Sequence, residues 1–438
     1  MANSGESVWL SVALGAALAG GAAWYFSRGR SSRLPLPSKR LDGVYTPPLW
    51  IRRNSMYEGL LKSAPRTRLC LAHLPTPIHE WHVLEDKPGK RGRRVNVFIK
   101  RDDFTGSEFS GNKIRKLEFL LADALDRGFT SVVTVGGIQS NHCRATAASA
   151  ARLGMHCHLI LRTSNPEIDP GLQGNLLISR LCGAHIHLVS DDDYAAHPEG
   201  GLGLVNDLAK SLQAASEDDK PLYAFPSGGS CPIGVWGYLE ACNELQKQLQ
   251  EGVKGIDGNN LTSFDKIFFA CGSGGTAAGL ALGLFLSGMS ISAGGKTELV
   301  GMCVDDSPAF FYEKIDALFE GMGVVLRDEN NGGFLTAKDL IRLEDAVGLG
   351  YATAADTELA GISKIAKRTG VLLDPVYSGK AALAMVEELS NYSGPLTDTE
   401  ENVLFIHTGG LFGMFDKLGQ LQEKVVQGKG WQELQPRS

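Results

Sequence analysis

Lys266-Ile267-Phe268-Phe269-Ala270-Cys271-Gly272-Ser273-Gly274-Gly275-Thr276 is the stretch on which the fold turns. Its first five residues are short and mostly apolar, the mark of a buried strand. Gly272 to Thr276 follow at once, and Ala277-Ala278-Gly279-Leu280-Ala281-Leu282 continues in a helical pattern. A strand, a glycine turn and a helix bring backbone N–H groups and a positive dipole end to a place where a dianion binds. Ser273 and Thr276 add hydroxyl donors. The loop lacks the Gly-Lys-Ser/Thr ending of a nucleotide P-loop. It meets the dinucleotide fingerprint only in a loose form, with Ala277 in the last glycine place. Taken alone, the loop excludes neither a dinucleotide nor a tight turn without any ligand.

Ser110-Gly111-Asn112-Lys113-Ile114-Arg115-Lys116-Leu117-Glu118 changes that balance. Ahead of it Val95-Asn96-Val97-Phe98-Ile99-Lys100 alternates as a strand does, and Arg101-Asp102-Asp103 follows. Ser110 suits the cap of a helix from about residue 112 to 127. Lys113 then falls in the first turn, where the positive helix end and the neighbouring Arg115 and Lys116 favour a neutral amine. Most lysines near a helix start are solvated surface charge, but few stand in a Ser-Gly-Asn-Lys run. An amine able to form a Schiff base, with a phosphate cradle that holds no nucleotide-type lysine, is the pairing pyridoxal phosphate requires.

A third stretch adds a second helix start. Ser131-Val132-Val133-Thr134-Val135 reads as a strand, Gly136-Gly137 turns it, and Gln139-Ser140-Asn141-His142 opens a helix that continues to Leu153. Its donors suit a substrate carboxylate, and Asn141 suits the phenolic oxygen of the cofactor. In isolation Ser140 or Asn141 is simply an N-cap, a role compatible with the other.

These three stretches, in this order, resemble the family of 1-aminocyclopropane-1-carboxylate (ACC) deaminases and D-cysteine desulfhydrases. These are pyridoxal-phosphate enzymes of the tryptophan-synthase-β fold type. The resemblance covers roughly residues 65 to 425. It extends to Arg101-Asp102-Asp103, Asp374-Pro375-Val376-Tyr377 and His407-Thr408-Gly409-Gly410. It implies that Lys113 carries the cofactor and that Gly272, Ser273, Gly274, Gly275 and Thr276 bind its phosphate. It also implies that Asn141 meets the ring oxygen and that Ser140, with Gln139 and Asn141, meets substrate. Deaminases of the family typically read Val-Tyr-Glu-Gly and His-Leu-Gly-Gly. This chain has Ser378 and Thr408 at those places and is similar to the desulfhydrase branch. A Glu beside the pyridine nitrogen makes the ring a strong electron sink, as opening a cyclopropane demands. A serine hydroxyl makes a weaker, neutral bond, sufficient for loss of a thiol. The expected reaction is β-elimination on D-cysteine: Lys113 takes the α-proton, sulfide leaves, and pyruvate and ammonia result. Tyr377 is a second acid/base candidate. ACC deamination is the alternative, and a catalytically idle cofactor binder is a further one; the intact Lys113, Ser140 and Tyr377 argue against the idle reading.

The chain has 438 residues, enough for two domains. Net charge is −6, which offers no reason to propose nucleic acid. The basic loop from Lys87 to Arg94 carries Pro and Gly and reads as a solvated connector. The eight cysteines show no Cys-x-x-Cys spacing and read as reduced core residues. His156-Cys157-His158 puts two histidines on one strand face with no third ligand apparent, so no metal is expected. Strands expected at 131–135, 156–162, 185–189, 222–225, 266–270, 298–304 and 403–407, with helices between them, argue for two open, mostly parallel α/β sheets. The resemblance implies a large cofactor domain from 41–116 and 226–438, a small domain from 117–225 inserted in it, and the cofactor between them. A homodimer is expected.

Residues 1–40 stand apart as a targeting or anchoring segment. Val8 to Phe26 is apolar and near the length that spans a bilayer, with Trp9 at one end and Trp24-Tyr25-Phe26 at the other. Glu6 precedes the run and arginines follow it, the reverse of a secretory signal. The expectation is a mitochondrial leader or, alternatively, a membrane anchor with the enzyme facing the cytosol.

Overall fold

The computed structural model describes residues 41–425 apart from 54–57, 86–93, 199, 215–220, 256–257, 259, 328–331 and 392–399. The apolar segment 8–26 and almost all of the basic loop lie outside the described residues. The strands are β1 (Leu41–Val44), β2 (Thr67–Leu69), β3 (Ile78–Glu80), β4 (Arg94–Lys100), β5 (Ser131–Gly137), β6 (His156–Thr163), β7 (His185–Ser190), β8 (Tyr223–Ala224), β9 (Lys266–Cys271), β10 (Glu298–Cys303), β11 (Arg342–Asp345) and β12 (Glu400–Ile406). The helices used below are α1 (Lys113–Asp126), α2 (Asn141–Arg152), α3 (Gly200–Ala214), α4 (Pro232–Glu251), α5 (Gly275–Leu286), α6 (Pro308–Gly321) and α7 (Ser378–Ser390). The chain divides into two compact units. The larger comprises Thr46–Ala64, Ala72–Lys116 and the described residues from Pro232 on. The smaller comprises the described residues through Tyr45, Pro65–Leu71 and Leu117–Cys231.

The larger unit is built on a six-stranded sheet in the order β11-β10-β9-β12-β4-β3. Every pairing is parallel except β3 with β4. Phe268 and Phe269 are neighbours on β9 and therefore point to opposite faces, yet both are 0 % exposed. Both faces of the sheet are thus covered, which is why these strands are apolar along their length. One face packs Phe268, Val300, Ile99 and Phe405 against Ala381 and Met385 of α7. From β9 the chain runs through β10 and β11 to one edge, and β12 enters on the other side of β9. The order reverses there, and the loops leaving the carboxyl ends of β9, β12 and β4 form a crevice of the kind in which open α/β sheets bind ligands.

The smaller unit carries four parallel strands in the order β7-β6-β5-β8, and a separate antiparallel pair, β1 with β2. Val133, Val135, Ile160 and Val189 pack against Val205, Leu208 and Leu212 of α3. Beside this core His158 stacks on His185 and His187 across β6 and β7. Burial, with the three neighbouring histidines adding, pushes His158 down to about 2. Burial and His185 push His187 down to about 4. Burial, with His156 adding, lowers His185 as well, so His158, His185 and His187 form a neutral cluster.

The short edge elements β1, β2, β3 and β11 escape sequence reading. Ile78-His79-Glu80 and Arg342-Leu343-Glu344-Asp345 are too brief to show a period.

Candidate active site

Three loops of the larger unit meet at the crevice. Asn112 donates its backbone N–H to Thr408 O at 3.0 Å, and its Nδ2 to Thr276 Oγ1 at 3.0 Å. The approach at Gly111 is close: a Cβ there would lie 2.7 Å from the Thr408 carbonyl oxygen. Lys113, the first residue of α1, brings Nζ to 3.4 Å from Ser273 Oγ. The Ser110 hydroxyl donates to Asp103 O at 2.8 Å and ties the loop back on itself. His407 donates from Nε2 to Leu372 O and accepts the Gly409 N–H at Nδ1, fixing the β12 loop and its own tautomer.

The glycine loop is shaped for an anion. Gly274 precedes α5 with φ 80°, a conformation that favours glycine, and offers no side-chain cap. The first intrahelical bond runs from Ala278 N–H to Gly274 O at 2.8 Å, so the amides before it have no partner within the helix. Asn112 holds the Thr276 oxygen as an acceptor and leaves its proton to be donated elsewhere.

Tyr377 lies over this loop. A Cβ on Gly272 would come within 2.9 Å of the Tyr377 ring. The phenol shares a hydrogen bond of 2.7 Å with Tyr351. Burial, with the Tyr351 hydroxyl and the Asp305 and Asp374 carboxylates adding, holds Tyr377 well above the ordinary tyrosine range, so it is a neutral donor at physiological pH. Ser378 begins α7 fully buried. Its hydroxyl donates to Asp374 Oδ1 at 2.6 Å, so a carboxylate stands one bond behind the serine that sequence reading takes as a neutral contact.

Arg115 and Lys116 qualify the expectation for Lys113. Both are 1 % exposed. The Arg115 guanidinium binds Asp102 at 2.7 Å and Glu244 at 2.9 Å, and Lys100 binds Glu244 at 2.6 Å. Burial opposes ionisation of Asp102, but Arg115 holds it below the usual carboxylate range; Arg115 and Lys100 bring Glu244 down to about 2 against the same opposition. Tyr238 adds a 2.7 Å hydrogen bond to Asp102. The Arg115 charge is thus balanced by carboxylates in a buried network that holds the start of α1, instead of standing as a lone cation beside the lysine. Asn112, Asp374, Tyr351 and this network are the site features that sequence reading misses. Asp374, Asn112 and Asp102 had a signal, each as part of a motif named above.

In the smaller unit the start of α2 is capped by its own side chain. Ser140 Oγ accepts the Cys143 N–H at 3.2 Å. Gly136 makes room, since a Cβ there would lie 2.6 Å from that oxygen. Gln139 is engaged on both ends of its amide: Nε2 donates to Gln173 O, and Oε1 accepts the Asn175 N–H. It braces the loop. The Asn141 amide oxygen is buried without a hydrogen-bond partner, and such a group ordinarily has one.

In the larger unit, the amine of Lys113 and a glycine-built helix start with hydroxyls fit pyridoxal phosphate. The sequence profile of pyridoxal-phosphate dependent enzymes matches residues 69–409. A bifunctional D-cysteine desulfhydrase/1-aminocyclopropane-1-carboxylate deaminase, mitochondrial, from Arabidopsis thaliana is 42 % identical over 379 residues, 86 % of this chain and 84 % of that protein. A D-cysteine desulfhydrase of Salmonella paratyphi A is 36 % identical over 355 residues, 80 % of this chain and 95 % of its own length. Among solved structures, one described as an ACC deaminase homologue superposes with a TM-score of 0.63 at 31 % identity, covering 85 % of this chain and 99 % of that one.

Proposed function

The chain belongs to the family of pyridoxal-phosphate dependent enzymes, and from that premise we propose that it cleaves the carbon–sulfur bond of D-cysteine. With one water consumed, the products are hydrogen sulfide, pyruvate and ammonia. Pyridoxal phosphate is the cofactor and a small amino acid the substrate. When bound, the cofactor withdraws electrons from the α-carbon of an attached amino acid and so lets a β substituent depart. Lys113 is assigned to hold it covalently and, once displaced by substrate, to take the α-proton at Nζ. The observation that carries this reading is Lys113 Nζ at 3.4 Å from Ser273 of a helix start built on Gly274.

Gly272 to Thr276 are assigned to the phosphate, with Asn112 aligning Thr276. Tyr377 holds a proton at its phenol and is assigned to donate it toward the departing sulfur. Ser378 and Thr408 are assigned to the side of the ring nitrogen, Asn141 to the ring oxygen, and Ser140 with Asn141 to the substrate carboxylate. Gln139 positions that loop through Gln173 and Asn175.

ACC deamination is a second reading, favoured by one observation: the Asp374 carboxylate stands behind Ser378, the residue assigned to the side of the ring nitrogen. The Arabidopsis relative is named for both activities. A panel of D-cysteine, L-cysteine, ACC, D-serine and β-chloro-D-alanine decides between them. D-cysteine should give the highest kcat/KM; ACC turnover equal to or above it would overturn the primary reading.

A mitochondrial location is proposed from residues 1–40 and from the name of the Arabidopsis relative. Among the described residues no helix is long and apolar enough to cross a membrane. Fusion of residues 1–40 to a fluorescent reporter tests the location, and sedimentation of the purified chain tests a proposed homodimer.

A further inference from the structure

Ser378 has a single hydroxyl proton, and it points at a carboxylate. The Oγ–Oδ1 distance to Asp374 is 2.6 Å, and the same hydroxyl oxygen accepts the Asp374 backbone N–H at 3.0 Å. A serine hydroxyl has one donor and two acceptor positions, so one lone pair remains to meet a further group. Asp374 is 1 % exposed, and its carboxylate takes three more donors. Oδ1 accepts the Ser378 N–H at 2.8 Å; Oδ2 accepts the Val376 N–H at 3.0 Å and the Tyr377 N–H at 2.8 Å. The turn fixes the carboxylate, and the carboxylate fixes the hydroxyl. The β12 loop closes over the pair: at its φ of 107° a Cβ on Gly410 would clash with the Asp374 carboxyl group, and glycine has none.

We propose that Asp374 is a positioning residue that makes Ser378 a hydrogen-bond acceptor toward the ring nitrogen of pyridoxal phosphate, so that the bound ring nitrogen carries a proton. The proposal rests on the assignment of Ser378 to that nitrogen made above. With its proton committed to Asp374, the serine has only a lone pair to offer, and a lone pair meets a ring N–H and repels an unprotonated ring nitrogen. The proton comes from solvent when the cofactor binds. Asp374 lends the chain of bonds its charge, since a hydroxyl that donates to a carboxylate becomes a stronger acceptor. The negative charge that Glu supplies directly in Val-Tyr-Glu-Gly chains is supplied here one hydroxyl away. A hydroxyl alone at this position, free to donate, would stabilise the unprotonated ring and give a weak electron sink.

The test is the 15N resonance of the ring nitrogen in holoenzyme reconstituted with 15N-labelled pyridoxal phosphate, read at neutral pH. The wild type should show the upfield position of a protonated pyridine. Asp374→Asn presents an amide N–H to Ser378 Oγ and frees the hydroxyl to donate, so the resonance should move to the unprotonated position; Ser378→Thr, which keeps the hydroxyl, should stay with the wild type. An unprotonated wild type overturns the proposal, as does a protonated resonance unmoved in Asp374→Asn. Should Asp374→Asn not fold, the wild type and Ser378→Ala decide: a protonated wild type with the proton lost in Ser378→Ala supports the relay. A resonance unmoved by Ser378→Ala shows that Ser378 does not face the nitrogen, and removes the underlying assignment along with the proposal.

Discussion

The starts of α5 and α2 meet the same need in opposite ways. Each is the end of a helix whose first amides lack partners within the helix. At α2 the protein supplies its own partner, Ser140 Oγ, with Gly136 trimmed to make room. At α5 it supplies none from the preceding residue: Gly274 has no side chain and is held at φ 80°. A self-capped start is stable without a ligand and has a hydroxyl proton left to donate. A glycine start without a side-chain cap leaves room beside its amides for an anion. Under the proposed function, the cofactor phosphate is assigned to the second and the substrate carboxylate to the first.

The units that carry these starts are braced by opposite electrostatics as well. In the larger, Asp102 and Glu244 are ionised and paired with Arg115, and the Lys100 amine reaches Glu244 as well. In the smaller, buried histidines stack in the neutral form.

The contrast yields predictions of decreasing size. Lys113→Ala should remove activity by at least about 10⁴-fold, the upper range for a positioned proton-transfer group, with the fold unchanged by circular dichroism. Activity retained within a few fold would remove Lys113 from the chemistry. Gly274→Val forces a β-branched residue into a backbone region that costs about 1–3 kcal/mol and meets the Lys314 side chain, so cofactor affinity should fall roughly ten- to a hundredfold in a titration. Unchanged affinity would mean that α5 does not hold the phosphate.

Acid should separate the two units. The folded-state values of His158 and His187 are depressed, so their contribution to stability is present above about 6.5, the unfolded value, and is lost as pH falls toward 4 and below. At pH 5 this amounts to about 2 kcal/mol for each. The carboxylates of the larger unit are depressed too, but their contribution persists until pH falls below about 4. Hydrogen exchange at pH 5 and pH 7.5 should therefore show β6 and β7 losing protection while β4 and β9 keep theirs; loss in the reverse order breaks the contrast. The smallest effect belongs to Ser140→Ala, which removes a cap of about 1 kcal/mol and should lower the melting temperature by a few degrees. If Ser140 also meets substrate, KM should rise beyond what that loss accounts for. A lower melting temperature with unchanged KM would make it a cap alone.

What could be read in advance follows a physical line. The glycine loop, the Lys113 stretch and the Ser140 stretch were legible because each is a local strand–turn–helix pattern whose residues act near their own position in the chain. Asn112 with Thr276 was not, because the pair is 164 residues apart. Arg115 reads from the sequence as a cation acting on Lys113, and only the fold brings Asp102, Glu244 and Tyr238 around it. Ser378 looked like a lone hydroxyl because the carboxylate that orients it lies four positions earlier, across a turn. Polar partnership across a turn or between distant elements leaves no periodic trace, whereas apolar periodicity does.

The most direct test of the central claim is borohydride reduction of the enzyme loaded with pyridoxal phosphate, followed by peptide mapping. One stable pyridoxyl group is expected, on Lys113, in the peptide that carries Ser110-Gly111-Asn112. A pyridoxyl group on Lys116 or Lys100, or on no lysine of this stretch, would contradict the claim.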